Sequence, residues 1–162
     1  MRALYCVAAF LVLLPAACGD ARQGEQPAEE ESVPEPVEVE ELAAGDAGLE
    51  EPQVMISASA AELAAASGVE VPERGGGLYI AAHAGERPTG GHSVEVEATG
   101  PEGGPAELRV SVSEPGPGDI ATQALTYPYA VVLVWPAPPD GSLSFVDGEG
   151  GELGWPVRRL SG

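Results

Sequence analysis

Apolar and polar residues alternate along much of the second half of this chain. Residues 78–84 set Leu78, Ile80 and Ala82 against Tyr79, Ala81 and His83. Residues 92–98 put Val94, Val96 and Ala98 on one side and Glu95 and Glu97 on the other, and residues 107–113 repeat the pattern with Leu108, Val110 and Val112 opposite Arg109 and Ser111. A period of two is the signature of a strand with one buried face. Residues 130–135 are an unbroken apolar run, which predicts a central strand buried on both faces. Residues 142–146 and 154–160 read as a closing hairpin around "DGEGGE", and residues 53–56 as a short strand.

One segment follows a helical pattern instead. Ser59 with Glu62 three residues later fits a capping box, residues 60–66 are strong helix formers, and Gly68 is placed to end the helix in the left-handed conformation. Turn-rich stretches, "ERGGG", "TGPEGGP", "EPGPGD" and "PAPPDG", separate the strands. The fold class expected is mostly β: a small antiparallel β-sandwich or open barrel with one short helix.

The N-terminal part carries different patterns. Arg2 precedes an apolar run over residues 4–14 that is too short for a permanent membrane span. It leads to "LLPAACGD", in which small residues stand before Cys18, a context that resembles a bacterial lipoprotein signal. Pro15 stands where such signals usually have leucine. Residues 1–17 are therefore expected to be a signal peptide and Cys18 the lipidated first residue of the mature chain. Cys6 would leave with the signal, so Cys18 would be the only mature cysteine, and acylation removes a thiol that would be a liability in an oxidising compartment. Residues 18–45 are rich in Glu, Pro and small residues and are expected to form an extended, disordered acidic tether. Residues 46–162 then form the β-rich domain.

Composition removes whole classes of function. Acidic residues outnumber basic ones 26 to 7, for a net charge of −19. A basic footprint for nucleic acid is missing, so no nucleic-acid partner is expected. Catalytic constellations are equally hard to find. His83 and His92 do not have the spacing of a helical zinc pair; at opposite ends of a hairpin they could converge, with nearby Glu86 joining them, but the ligand count is too small, so no metal site and no cofactor are assigned. Ser93 follows His92 directly, and adjacent strand residues point to opposite faces, so the two cannot act as nucleophile and base. No glycine loop leads into a helix to cradle phosphate. The chain is expected not to be an enzyme.

Two loops carry residue types that shape backbone instead of filling a core. In "GERPTGGH", Pro88, Thr89, Gly90, Gly91 and His92 precede an alternating strand. In "QALTYPYAVV", Gln123, Thr126, Tyr127, Pro128 and Tyr129 precede the apolar run. Pro128 restricts Tyr127 to extended backbone, and the two tyrosines offer rigid amphipathic contact area. These ten residues are the candidates for partner binding; the competing explanation is a tight turn and aromatics that cap the core.

Taken in order, "GERPTGGHSVEV", "ELRVSVSEPGPGD" and "TQALTYPYAVVLV" resemble the C-terminal domain of the PrcB-type protease-complex subunit family over residues 78–135. Gly85 and residues 88–91 match its first motif, Pro115, Pro117 and Gly118 the second, and Gln123, Thr126, Pro128 and Tyr129 the third. His92 departs from the family's tyrosine. The resemblance implies a lipid-anchored, extracytoplasmic, non-catalytic protein of the bacterial cell envelope that binds another envelope protein, with the accessory subunit of a surface protease complex as its model. An alternative comes from the chagasin-type protease inhibitors, β-sandwiches whose Pro-Thr-Thr-Gly-Tyr loop "PTGGH" echoes.

Overall fold

The computed structural model describes residues 36–100, 105–139 and 142–161. Eight strands and one helix follow one another as β1 (Glu38–Gly45), β2 (Gln53–Ser57), α1 (Ala60–Ser67), β3 (Leu78–His83), β4 (Ser93–Ala98), β5 (Ala106–Ser113), β6 (Tyr129–Trp135), β7 (Leu143–Asp147) and β8 (Val157–Arg159). They form a five-stranded sheet, β1-β6-β3-β2-β8, and a three-stranded sheet, β4-β5-β7. The mostly-β expectation holds, with one short helix and two open sheets.

The two sheets share one core. Val54 and Ile56 of β2, Ile80 and Ala82 of β3 and Val132 and Val134 of β6 pack in a single cluster with Val94 and Val96 of β4 and Leu108 and Val110 of β5. The opposite face of the larger sheet is also buried. Met55, Tyr79, Ala81, Val131 and Leu133 point the other way and are covered by Ala60 and Leu63 of α1 and by Val69. The domain is thus three layers, helix on sheet on sheet. This explains two kinds of sequence at once. Strands β3 and β6 lie between two layers and are apolar on both faces, whereas β4, on the outer sheet, alternates buried valine with exposed glutamate.

Helix α1 starts where its caps predict, with one variation. Ser59 is extended (φ −120°, ψ 123°) and its side chain accepts from the Glu62 N–H at 3.3 Å. The Glu62 carboxylate does not return to the Ser59 N–H. It accepts from the Ser57 hydroxyl at 2.6 Å, and Ser57 Oγ accepts from the Ser59 N–H at 3.0 Å. Gly68 adopts φ 73° and donates to the Ala64 carbonyl at 2.9 Å, which closes the helix.

Two expectations need correction. The signal segment, Cys18 and the tether up to residue 35 lie outside the described residues, but residues 38–45, assigned to the tether on composition, form strand β1. It pairs antiparallel with β6, from Glu38 opposite Trp135 to Gly45 opposite Tyr129. A register shift between Glu41 and Ala43 lets Val39 pack on one core cluster and Leu42 and Ala43 on the other. An acidic segment can order here because β6 supplies a full ladder of partners. The exposed Glu38, Glu40 and Glu41 then charge the sheet edge, which discourages further strand addition.

The second correction concerns the C-terminal segment. Residues 142–160 close only a short hairpin: Val146 pairs antiparallel with Glu152, and Leu153 N–H donates to the Phe145 carbonyl at 3.4 Å, but the two arms do not pair further. Strand β7 pairs parallel with β5, and β8 pairs parallel with β2 in the other sheet. The "DGEGGE" turn forms: the Asp147 carboxylate accepts from the Glu149 and Gly151 N–H groups at 2.9 and 2.8 Å. Beyond it Leu153 is buried and Trp155 packs against the shared core. Burying those two side chains carries the chain from one sheet to the other. Ala98, expected to face inward, is exposed at the end of β4.

Candidate functional site

The two candidate loops are sewn together. Arg87 and Thr126 form an antiparallel bridge, with Arg87 N–H donating to the Thr126 carbonyl at 2.8 Å and Thr126 N–H to the Arg87 carbonyl at 3.0 Å. The Thr126 hydroxyl donates to the Thr89 carbonyl at 2.8 Å. Gly90 N–H donates to the Thr122 carbonyl at 3.0 Å. Gly91 has φ 85°, in the left-handed region that glycine tolerates, and a side chain there would meet the Pro115 ring at 3.2 Å. Each of the three recognised motifs therefore contributes at least one residue to this corner, Pro115 being the contribution of the second.

A third segment completes that corner. Tyr127 N–H donates to the Asp46 carbonyl at 2.9 Å, and Gly48 N–H donates to the Tyr127 carbonyl at 2.7 Å, so Ala47 lies parallel beside Tyr127. Gly48 must be small at this point, because a Cβ would come within 2.7 Å of His83 Nδ1 and 2.8 Å of the Tyr127 carbonyl.

Alternation in this small ladder separates clamp from surface. Thr126 and Arg87 face inward; Thr126 is buried and Arg87 half-buried. Their neighbours, Glu86 opposite Tyr127 and Pro88 opposite Leu125, face outward by the register of the bridge. Glu86 and Pro88 are exposed, Tyr127 is half-buried and Leu125 is 57% exposed. The result is an outward platform of Ala47, Tyr127, Glu86, Leu125 and Pro88.

Of the ten candidates, Pro88 and Tyr127 lie on this platform. Gly90, Thr126 and Pro128 are buried and hold the loops together. Thr89 lends its carbonyl to the clamp, and its hydroxyl lies 3.3 Å from His92 Nε2. Gly91 and Gln123 are exposed. Tyr129 turns inward and stacks on His83 with centroids 6.0 Å apart. Leu125 and Ala47 were not singled out from sequence. Leu125 carried a faint signal, a large apolar residue inside turn-forming text; Ala47 carried none.

The histidines have separate surroundings. His83 is fully buried, its Nδ1 accepts from the Leu49 N–H at 3.2 Å, and Nε2 has no partner among the described residues. Burial pulls its pKa down to about 4. His83 is thus neutral at ordinary pH with its proton on Nε2, since Nδ1 is the acceptor. Among the described residues no three His, Cys, Asp or Glu side chains gather where a metal ion could be held.

At the platform the Tyr127 hydroxyl lies 3.5 Å from Glu86 Oε2, the outer limit of a hydrogen bond. Desolvation, and then the negative charges of Glu86 and Glu50, push its pKa above the usual 10.0. Tyr127 stays a neutral aromatic at the edge of two carboxylates.

This geometry defines a class: a two-sheet β domain backed by a helix, with three chain segments clamped into one shaped corner. The comparison with protein families agrees with the resemblance seen in the sequence. Residues 78–134 match the family model described as PrcB C-terminal, a stretch that runs from β3 through β6 and includes both loops of the corner. No curated protein and no solved structure matches the chain.

Proposed function

We propose that this is a non-enzymatic protein of the bacterial cell envelope, lipid-anchored through Cys18, that binds another envelope protein through the platform at the Arg87–Thr126 corner. A subunit role in a surface protease complex is the form of this reading that the PrcB C-terminal match supports.

The observation that carries it is the division of labour within the corner. Hydrogen bonds consume the backbone of Arg87, Thr126 and Tyr127, while Leu125, Pro88 and Tyr127 present side chains to solvent. A large apolar side chain 57% exposed on a rigid support adds nothing to the core. Rigid aromatic and apolar anchors on a preformed loop suit protein recognition. Earlier in the same connection Ile120 is also fully exposed.

Affinity purification of the full chain from its own envelope, against a Leu125→Ser variant, tests the reading. A protein held by the parent chain and lost with Leu125→Ser supports it, and its identification decides whether the partner is a protease. Inhibition of that protease by the purified chain would select the inhibitor alternative; an identical set of captured proteins would end the platform reading.

A further inference from the structure

The platform at the Arg87–Thr126 corner is apolar at one row and acidic at the next. Pro88 and Leu125 form the first row, Tyr127 and Glu86 the second, and Glu50 lies close enough to act on the Tyr127 hydroxyl. The Glu50 carbonyl accepts from the Glu86 N–H at 2.9 Å, which ties the two acidic residues to one spot of backbone. Leu125 and Tyr127 are two residues apart on an extended segment, so the rows are separated by about 7 Å. That is roughly the reach of an arginine side chain from Cα to guanidinium.

Resting on the protein-binding reading above, we infer that the platform receives a basic, extended segment of the partner. One arginine or lysine lays its aliphatic stem over Leu125 and Pro88 and brings its charged head between the Tyr127 ring and the carboxylates of Glu86 and Glu50. The ring face attracts the cation through its quadrupole, and the carboxylates add charge-assisted hydrogen bonds. Charge complementarity selects this occupant. The chain carries −19, and Arg87, the base within the corner, lies on the opposite face of the ladder, so an approaching acidic segment is repelled and a basic one is steered in. A purely apolar segment would cover Glu86 and Glu50 without giving their charges a partner, at a desolvation cost.

The probe is acetyl-Val-Arg-Val-amide, titrated calorimetrically into the full chain, beside the same peptide with neutral citrulline replacing arginine. The arginine peptide is expected to bind about tenfold more tightly than the citrulline peptide and to weaken as salt is raised. The Glu50→Gln, Glu86→Gln double variant is expected to remove that preference, roughly equalising the two peptides, while Leu125→Ser weakens both. Both acidic side chains are exposed, so the double variant retains the fold, as its melting temperature will report. Equal binding of the two peptides, an undiminished preference in the double variant, or no heat from the arginine peptide at millimolar concentration overturns the inference. Envelope capture that still depends on Leu125 would then leave the platform reading intact, so the two failures are distinguishable.

Discussion

Arg87 and Thr126 exchange both of their backbone hydrogen bonds, although 38 residues separate them in the chain. That single pairing decides which side chains of the corner are structural. It turns Thr126 inward and sets Pro88 beside Leu125 and Glu86 beside Tyr127 on the solvent side. The clamp and the surface it presents are consequences of one register.

The Thr126 hydroxyl should matter to the clamp and not to the surface. Thr126→Val keeps the shape and removes the donor to the Thr89 carbonyl. A loss of about 1 kcal/mol is expected, the usual consequence of deleting one hydrogen bond in a part-buried site. Urea unfolding of variant and parent measures it.

Gly48 should tolerate no side chain. Its Cβ would run into His83 Nδ1 and the Tyr127 carbonyl, and the latter is backbone that cannot swing aside. Gly48→Ala should cost about 1–3 kcal/mol, as overpacking does. Gly75→Ala is the control, since nothing lies within 4 Å of a Cβ there, and its effect should stay within about 0.5 kcal/mol. Thermal melts of both variants provide the comparison.

His83 should make stability depend on pH in the acid range. Its pKa is about 4 in the folded chain and about 6.5 when exposed. Above pH 6.5 neither state binds the proton. Between about 6.5 and 4 the unfolded chain binds it and the folded chain does not, so stability falls as pH falls through that window, by an amount on the order of 3 kcal/mol; below it both states are protonated and the loss stops. Carboxylates elsewhere titrate too, so the readout is a difference. The urea midpoint of the parent should drop further between pH 7 and pH 4.5 than that of His83→Gln, and parallel curves would refute the assignment.

The corner also shows what a sequence can and cannot display. Alternation at Val94 and Val96, the unbroken run from Ala130, and the Ser59 and Gly68 caps are local patterns, and each forms the element it predicts. Strand β1 was hidden because its order comes from β6, about ninety residues away, and not from its own glutamate-rich text. The parallel pairing of β7 with β5 and of β8 with β2 was hidden because a turn motif such as "DGEGGE" implies a hairpin, whereas Leu153 and Trp155 divert the chain to the second sheet. At the site, composition revealed the two loops. Their division into buried Thr126 and Pro128 and outward Leu125 required the register with Arg87, which no local pattern carries.

The proposed lipid anchor at Cys18 is tested apart from the fold. Cys18→Ser should abolish fatty-acid labelling and move the protein from the membrane fraction to the soluble one. Unchanged labelling would remove the lipid anchor from the account.

The two tyrosines of the third motif offer the most direct test of the central claim that surface and clamp are different residues. Tyr129 stacks on buried His83, whereas Tyr127 faces outward beside Glu86. The measurement is capture of envelope protein by the full chain, with the melting temperature of each variant recorded alongside. Tyr127→Ala should abolish capture while melting within a few degrees of the parent, and Tyr129→Ala should lower stability by about 2 kcal/mol or more. Full capture by a folded Tyr127→Ala variant would contradict the account.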